Sequence, residues 1–169
     1  RELHAIRAHI VACIQSLHAI TDLFAHGVYY GLELSKVLKL SPDDITLWKV
    51  QKRLSKSRTE KTLAVQLNKL ATSGRAKYLA ALSNHSKHRS TVKNLVSLDM
   101  TGTDPELIRL NFESFNYGNK EFDQQEVLPL LEAEFNRISK IVVDSGIELN
   151  RILQAKFSSS KPLKGRAAN

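Results

Sequence analysis

The sequence is poor in cysteine, on which disulfide-bonded small domains and many zinc-bound ones depend. Its 169 residues include one cysteine, one methionine, one tryptophan and four prolines. A lone cysteine, Cys13, excludes an intramolecular disulfide framework and a four-thiolate zinc site. The absence of an unbroken run of about 18 or more apolar residues argues against a membrane span. Hydrophobic residues still make up 42% of the chain, so we expect one folded domain rather than a disordered chain.

The lone cysteine also bears on the compartment. Free thiols are typical of reducing environments, and the first 35 residues show no apolar signal-peptide core with a cleavage site. We therefore expect a cytoplasmic protein.

Positive charge is concentrated in one part of the chain. The net charge is +8, and residues 36–94 hold 14 basic and 3 acidic residues, whereas residues 95–155 hold 5 basic and 11 acidic ones. If the basic side chains share a face, that face attracts phosphate groups, including those of nucleic acid. The alternatives are a solvated face and a match to the acidic final helix of a partner subunit. Only Trp48 and Tyr78 are aromatic within the basic stretch, which gives little support to stacking of single-stranded bases.

The spacing of apolar residues predicts a mainly α protein. We expect a bundle of four to five helices with one β-hairpin inserted before a long C-terminal helix. The first helix should cover residues 1–38 and lie centrally, because it is apolar nearly all round, with small residues on one side that admit a close neighbour. Further helices should begin at Ser41 and at the capping box of residues 57–60, and another should cover residues 75–86. The last should run from a capping box at Asp123 to about Gln154 and pack against the first.

Residues 91–115 break the helical pattern. Apolar and polar residues alternate in 91–100 and again in 106–115, around a turn-rich segment at 101–105, which predicts the β-hairpin. A second turn is expected at residues 116–119. The domain should therefore cover residues 1–156, followed by a flexible basic tail at 157–169. Because a lone hairpin is marginally stable, it must pack on the helices or on another chain, which favours a homo-oligomer.

The densest polar cluster lies at residues 83–90, where helix is predicted to give way to strand. Asn84, Lys87, His88 and Arg89 could form an anion or phosphate site, with Arg89 as a bidentate donor, Lys87 as a point charge and His88 as a titratable group. The alternative is that these cations stabilise the negative end of the helix.

A second group, His18, Asp22 and His26, follows one stripe of the first helix. With His85 or His88 it could hold a divalent metal; alternatively, Asp22 orients a buried histidine and ties the stripe to the polar cluster. We predict no cofactor, since the chain has neither a glycine-rich phosphate loop nor an H-E-x-x-H pattern. G-x-S-x-G is absent as well, and Cys13 is expected in the core.

Two short motifs resemble a pattern in small uncharacterised bacterial helical proteins. These are Ser16-x-His18-x-x-x-Asp22 and Asn84-x-x-Lys87-His88-Arg89, within a likeness that would cover residues 10–155. The helical layout is also similar to HEPN nucleotide-binding and ribonuclease domains, although their Arg, four to six residues, then His is absent here.

Three functions stay open at this point. The first is a non-enzymatic interaction module without a membrane role, which self-associates through the hairpin or the final helix. The second is a nucleic-acid-binding or ribonuclease-like protein that uses the Lys87-His88-Arg89 corner. The third is a metal-dependent enzyme that uses His18, Asp22 and His26.

Overall fold

A computed structural model describes residues 2–88, 93–98 and 108–159 and confirms a mainly helical fold with a small antiparallel sheet before a long C-terminal helix. The α-helices are α1 (Glu2–Gly31), α2 (Ser35–Leu38), α3 (Leu47–Leu54), α4 (Lys61–Thr72), α5 (Gly74–His88) and α6 (Val127–Ser159). The strands are β1 (Asn94–Leu98), β2 (Ile108–Phe112), β3 (Phe115–Tyr117), β4 (Lys120–Phe122) and β5 (Gln125–Glu126).

The long helices α1 and α6 pack against each other, as the sequence predicted. Leu17 shares a cavity with Ile138, and Leu32 shares another with Leu153, so the two helices run in the same direction. Helices α3, α4 and α5 complete the bundle. All five contribute buried apolar side chains to one continuous core, among them Val28, Leu54, Leu67, Leu82 and Ile138.

The first helix is shorter than predicted. It ends at Gly31, and Glu33 takes a positive φ of 55° before α2 begins. Leu32 and Leu34 are both buried, and positions two apart lie on nearly opposite sides of a helix, so a continuous helix could not bury both. The break is held by the buried Tyr29 hydroxyl, which accepts a hydrogen bond from the Leu40 backbone N–H at 3.0 Å.

The helix starts predicted at Ser41 and at the capping box of residues 57–60 are wrong. Pro42–Asp44 forms a 3₁₀ turn, and α3 begins after Thr46, whose side-chain oxygen accepts a hydrogen bond from the Lys49 N–H at 3.3 Å. Glu60, predicted to close a capping box, makes no capping bond. Its buried carboxylate instead accepts from Lys156 of α6 at 3.2 Å, so a partner distant in sequence displaces the local one.

The predicted hairpin is confirmed by β1 and β2, which are antiparallel with Val96 opposite Leu110. Its turn lies within residues 99–107, outside the described residues. β5 adds to the other edge of β2, pairing Gln125 with Phe112, so the capping box predicted at Asp123 is wrong and α6 begins only at Val127.

A second hairpin, β3–β4, was not predicted as such, although its turn was. Gly118 in that turn has a φ of 62°. Phe115 and Phe122 stack with 5.1 Å between ring centroids, and Tyr78 of α5 contacts both edge-on, so this hairpin packs on the helices. At the other end, α6 continues through Ser159, beyond the predicted start of the tail, while residues 160–169 lie outside the described chain.

Candidate functional site: a polar cluster and an exposed helix face

Part of the predicted polar cluster is brought together where α1 packs on α5. His18 is half-buried and lines a cavity of about 90 Å³ between the helices. Burial lowers the pKa of His18, the positive charge of Lys87 lowers it further, and the negative charge of Asp22 opposes both. Asp22 and Lys87 are therefore both within electrostatic reach of His18, and the imidazole favours its neutral form.

The rest of the cluster differs from the prediction or lies outside the described residues. α5 continues through His88, so residues 83–88 form regular helix rather than a bend. Asn84 is half-buried and Lys87 is exposed. The His85 ring packs edge-on against Phe115, with 5.5 Å between centroids. The His88 side chain and Arg89 are outside the description, so the phosphate corner stays a prediction.

The described side chains of the histidine stripe and its neighbours do not gather around a metal ion. Within residues 2–88, 93–98 and 108–159, no group of three or more His, Cys, Asp or Glu side chains could hold a metal ion. Successive positions four apart drift by about 40° around the helix, so His18, Asp22 and His26 do not converge. The His26 ring instead lies 6.2 Å from that of Tyr30.

A cavity of about 470 Å³ lies between the start of α5, the sheet and the first turn of α6. Two of its five polar lining residues make side-chain contacts within the protein. Asn111 donates to the Ser97 hydroxyl at 3.1 Å, and Glu126 accepts from Arg109 at 2.6 Å. We therefore assign no chemistry to it.

The prediction that α1 is enclosed by protein is wrong. One arc, which includes Ile10, Leu17 and Val28, is buried in the core. The other side is open: Leu23 is 70% exposed and Tyr30 is 55% exposed. Cys13, expected in the core, is exposed as well. By length and composition alone, the segment His4–Gly31 is apolar enough to cross a membrane.

The open side of α1 carries a regular pattern, which we call the α1 seam. Its members recur at alternating steps of four and three residues and are Ala5, His9, Ala12, Ser16, Ala19, Leu23, His26 and Tyr30. All are exposed or partly exposed, and none carries a fixed charge. The mean step of about 3.5 residues is the period at which a second helix keeps contact along a coiled coil. The sequence showed these small residues, but their partner was expected within the same chain.

No protein-family model matches the chain, and comparisons with curated proteins and with solved structures return no significant match.

Proposed function

We propose that the protein is a non-enzymatic interaction module that forms a homodimer, in which the α1 seam pairs antiparallel with the seam of a second copy. The observation that carries this proposal is the exposed, uncharged seam on a long helix that is anchored to the bundle along its other side. A patch of this kind on a folded domain is typical of an interaction site.

The order of side-chain sizes along the seam favours a second copy as the occupant. Three of the first four members of the seam are small, with His9 as the exception, and three of the last four are large, with Ala19 as the exception. In an antiparallel pair related by a two-fold axis, Ala5 faces Tyr30 and Ala12 faces Leu23 of the second copy, so a large side chain fills the space that a small one leaves. At the two remaining positions Ser16 faces Ala19 and His9 faces His26. A parallel pair would set alanine against alanine and tyrosine against tyrosine. The seam is thus complementary to itself, as an isologous interface requires.

The area is consistent with a reversible dimer. At about 1.5 Å per residue, the seam is roughly 38 Å long, and a width of about 10 Å gives on the order of 400 Å² per subunit. This is below the roughly 800 Å² per partner of a standard stable interface. Next to Tyr30, the exposed Phe157 of α6 lines a groove of about 460 Å³ and extends the apolar surface.

A lipid surface is the other occupant to consider. Helices that lie on membranes carry lysine and arginine along their polar face, and α1 has only Arg7 within its described length. The side of α1 opposite the seam is also packed in the core, so it is not free to contact lipid. These two features favour protein over lipid as the partner.

Sedimentation velocity over a range of protein concentrations tests the proposal. We expect a mass that rises from monomer to dimer, and we expect Leu23→Glu to abolish that rise by placing a charge in the seam. Val65→Glu is the matched control, since Val65 is 51% exposed on α4, away from the seam. A monomeric mass at the highest concentration, or equal effects of the two variants, would refute the proposal.

Disulfide trapping tests the antiparallel register. In a Cys13→Ser background, the Ala12→Cys and Leu23→Cys variants should form a mixed disulfide when combined and little disulfide when oxidised separately, because only opposed positions come within about 4.4–6.8 Å between Cα atoms. Homotypic cross-links through position 12 would show a parallel pair instead. Flotation of a monomeric protein with neutral vesicles, lost in Leu23→Glu, would assign the seam to lipid and overturn the dimer.

The cytoplasmic location and the phosphate-binding role of Lys87, His88 and Arg89 stay proposals. Support for the second is limited to the charge of Lys87 acting on His18 at the α1–α5 contact. Retention on a phosphate-bearing resin at low salt, lost in a Lys87→Gln variant, would support it, and the absence of retention would count against it.

A further inference from the structure

A second surface lies between α2 and α3 and uses none of the residues of the α1 seam. It is a cleft of about 210 Å³ whose apolar lining is formed by Leu38, Leu40 and the indole of Trp48. Four cations complete its lining: Lys49, Lys52, Arg53 and Lys56. Trp48 is 64% exposed, and the Lys52 ammonium lies 4.6 Å from the centroid of its ring.

The fold accounts for only part of this arrangement. Lys52 and Arg53 lie in the last turn of α3, where cations stabilise the negative end of a helix. Lys49 pairs with Asp44 at 2.8 Å, and Arg53 lies 3.8 Å from Glu60. None of these roles requires a large aromatic side chain to be exposed to water. An exposed tryptophan with cations around it is, however, suited to bind a ligand that is both aromatic and anionic.

We propose that this cleft binds a short segment of single-stranded nucleic acid, with one base stacked on Trp48 and the flanking phosphates on the surrounding cations. The base takes the place of the Lys52 ammonium over the indole, and the ammonium moves on its flexible stem to a neighbouring phosphate. A positively charged groove with an aromatic platform is the arrangement by which proteins bind single strands without reading their sequence.

The size and charge of the cleft support this ligand. Sites that enclose a whole small molecule measure about 300–1,000 Å³, so this cleft accommodates one flat ring and leaves the rest of a ligand outside. A nucleic-acid strand has that shape, since its bases can enter one at a time while its backbone stays at the surface. Its charge complements residues 36–94, where 14 basic residues stand against 3 acidic ones.

Tryptophan fluorescence provides a direct test, because Trp48 is the only tryptophan in the chain. The full chain is titrated with a short fluorescein-labelled oligo(dT), and both anisotropy and Trp48 emission are recorded. We expect saturable binding with quenching of Trp48, and an affinity that falls with salt at a slope of about −2 to −3 in log–log form for three to four neutralised phosphates.

Two pairs of variants separate stacking from charge. Trp48→Ala should weaken binding about 5-fold or more, while Trp48→Phe should retain most of it, since the phenyl ring still offers a stacking face. Lys56→Glu should weaken binding and make the salt slope shallower. Lys120→Glu on β4, a matched control with the same change in net charge, should do so much less.

The opposite results would overturn the proposal. These are an absence of saturable binding at low salt, binding without quenching of Trp48, or equal losses in Lys56→Glu and Lys120→Glu. Poly-glutamate that displaces the oligonucleotide and quenches Trp48 as strongly would assign the cleft to an acidic peptide. Because Leu23→Glu should leave oligonucleotide binding intact, failure of the dimer and failure of this site can be told apart.

Discussion

Removing the Arg137 guanidinium tests whether the contacts of one side chain, to a buried carboxylate of α6 and to two carbonyls of α4, hold the two helices together. The Glu134 side chain has no solvent exposure, and its two oxygens accept hydrogen bonds from Arg137 at 2.9 and 2.8 Å. The same guanidinium donates to the backbone carbonyls of Lys69 and Leu70 at 2.8 and 3.3 Å, which lie in the last turns of α4. Arg137→Leu therefore leaves a buried carboxylate and two carbonyls without their donor.

The expected cost is large relative to the stability of a domain. Breaking a buried ion pair from one side costs about 3–5 kcal/mol, against a total of roughly 5–15 kcal/mol for a typical domain. Urea unfolding followed by far-UV circular dichroism should show a midpoint far below that of the wild type with a similar slope. The double variant Glu134→Leu/Arg137→Leu should recover part of the loss, since it leaves no isolated charge.

A second arginine–glutamate pair of α6 has the same local geometry and provides a control. Arg151 makes the same two-fold contact to Glu148 three residues earlier, at 2.8 and 2.7 Å, but its side chain is 61% exposed. Arg151→Leu should lower the midpoint much less, because water reaches the exposed Arg151 side chain and the Glu148 carboxylate, which is 13% exposed, whereas that of Glu134 is not exposed. If Arg137→Leu were equally harmless, or if the double variant were less stable than Arg137→Leu, the reasoning from burial would be wrong.

Two further predictions concern a proton and a turn. The pKa of His18 is lowered from 6.5 in the folded chain, so the unfolded chain takes up the proton first as the pH falls; the stability that the neutral ring provides is present above pH 6.5 and is lost below it. His18→Gln should flatten the dependence of the unfolding free energy on pH below 6.5. Lys87→Gln should raise the pKa of His18 in an NMR titration. An unchanged pKa in that variant would contradict the influence of Lys87 on His18. Gly118→Ala should cost about 1–2 kcal/mol, because φ is 62° although no atom lies within 4 Å of an added Cβ. Gly118→Asn should cost less, and equal stability of all three proteins in urea would contradict this account.

The elements that the sequence predicted well are those specified by neighbours a few residues away. The alternation that places Val96 opposite Leu110 is local to two short runs joined by a turn-rich segment, so the β1–β2 hairpin was recognisable. The helix ends were harder. Glu60 has the spacing of a capping box, but its carboxylate pairs with Lys156 from the far end of the chain. The residues near Glu60 in the sequence do not indicate such a distant partner.

The candidate site was predicted in part for the same reason. The stripe that carries His18 and Asp22 was expected to lie against residues 84–89, and the charge of Lys87 acts on His18 in the folded chain. The exposure of Trp48 was not foreseen. An indole in a helix with few apolar residues is expected to anchor that helix, and its place at the edge of a basic cleft follows from how α2 and α3 meet.

The amino-acid sequence by itself determined that this chain forms several helices and a hairpin, because helical and strand periodicity are properties of neighbouring residues. Tertiary structure alone decided which side of α1 is covered. That helix is apolar on nearly every side, so its pattern does not distinguish a buried arc from an open one. The choice depends on where α3, α5 and α6 arrive, and the arc with Ile10, Leu17 and Val28 offers them larger side chains and more contact area than the alanine-rich side.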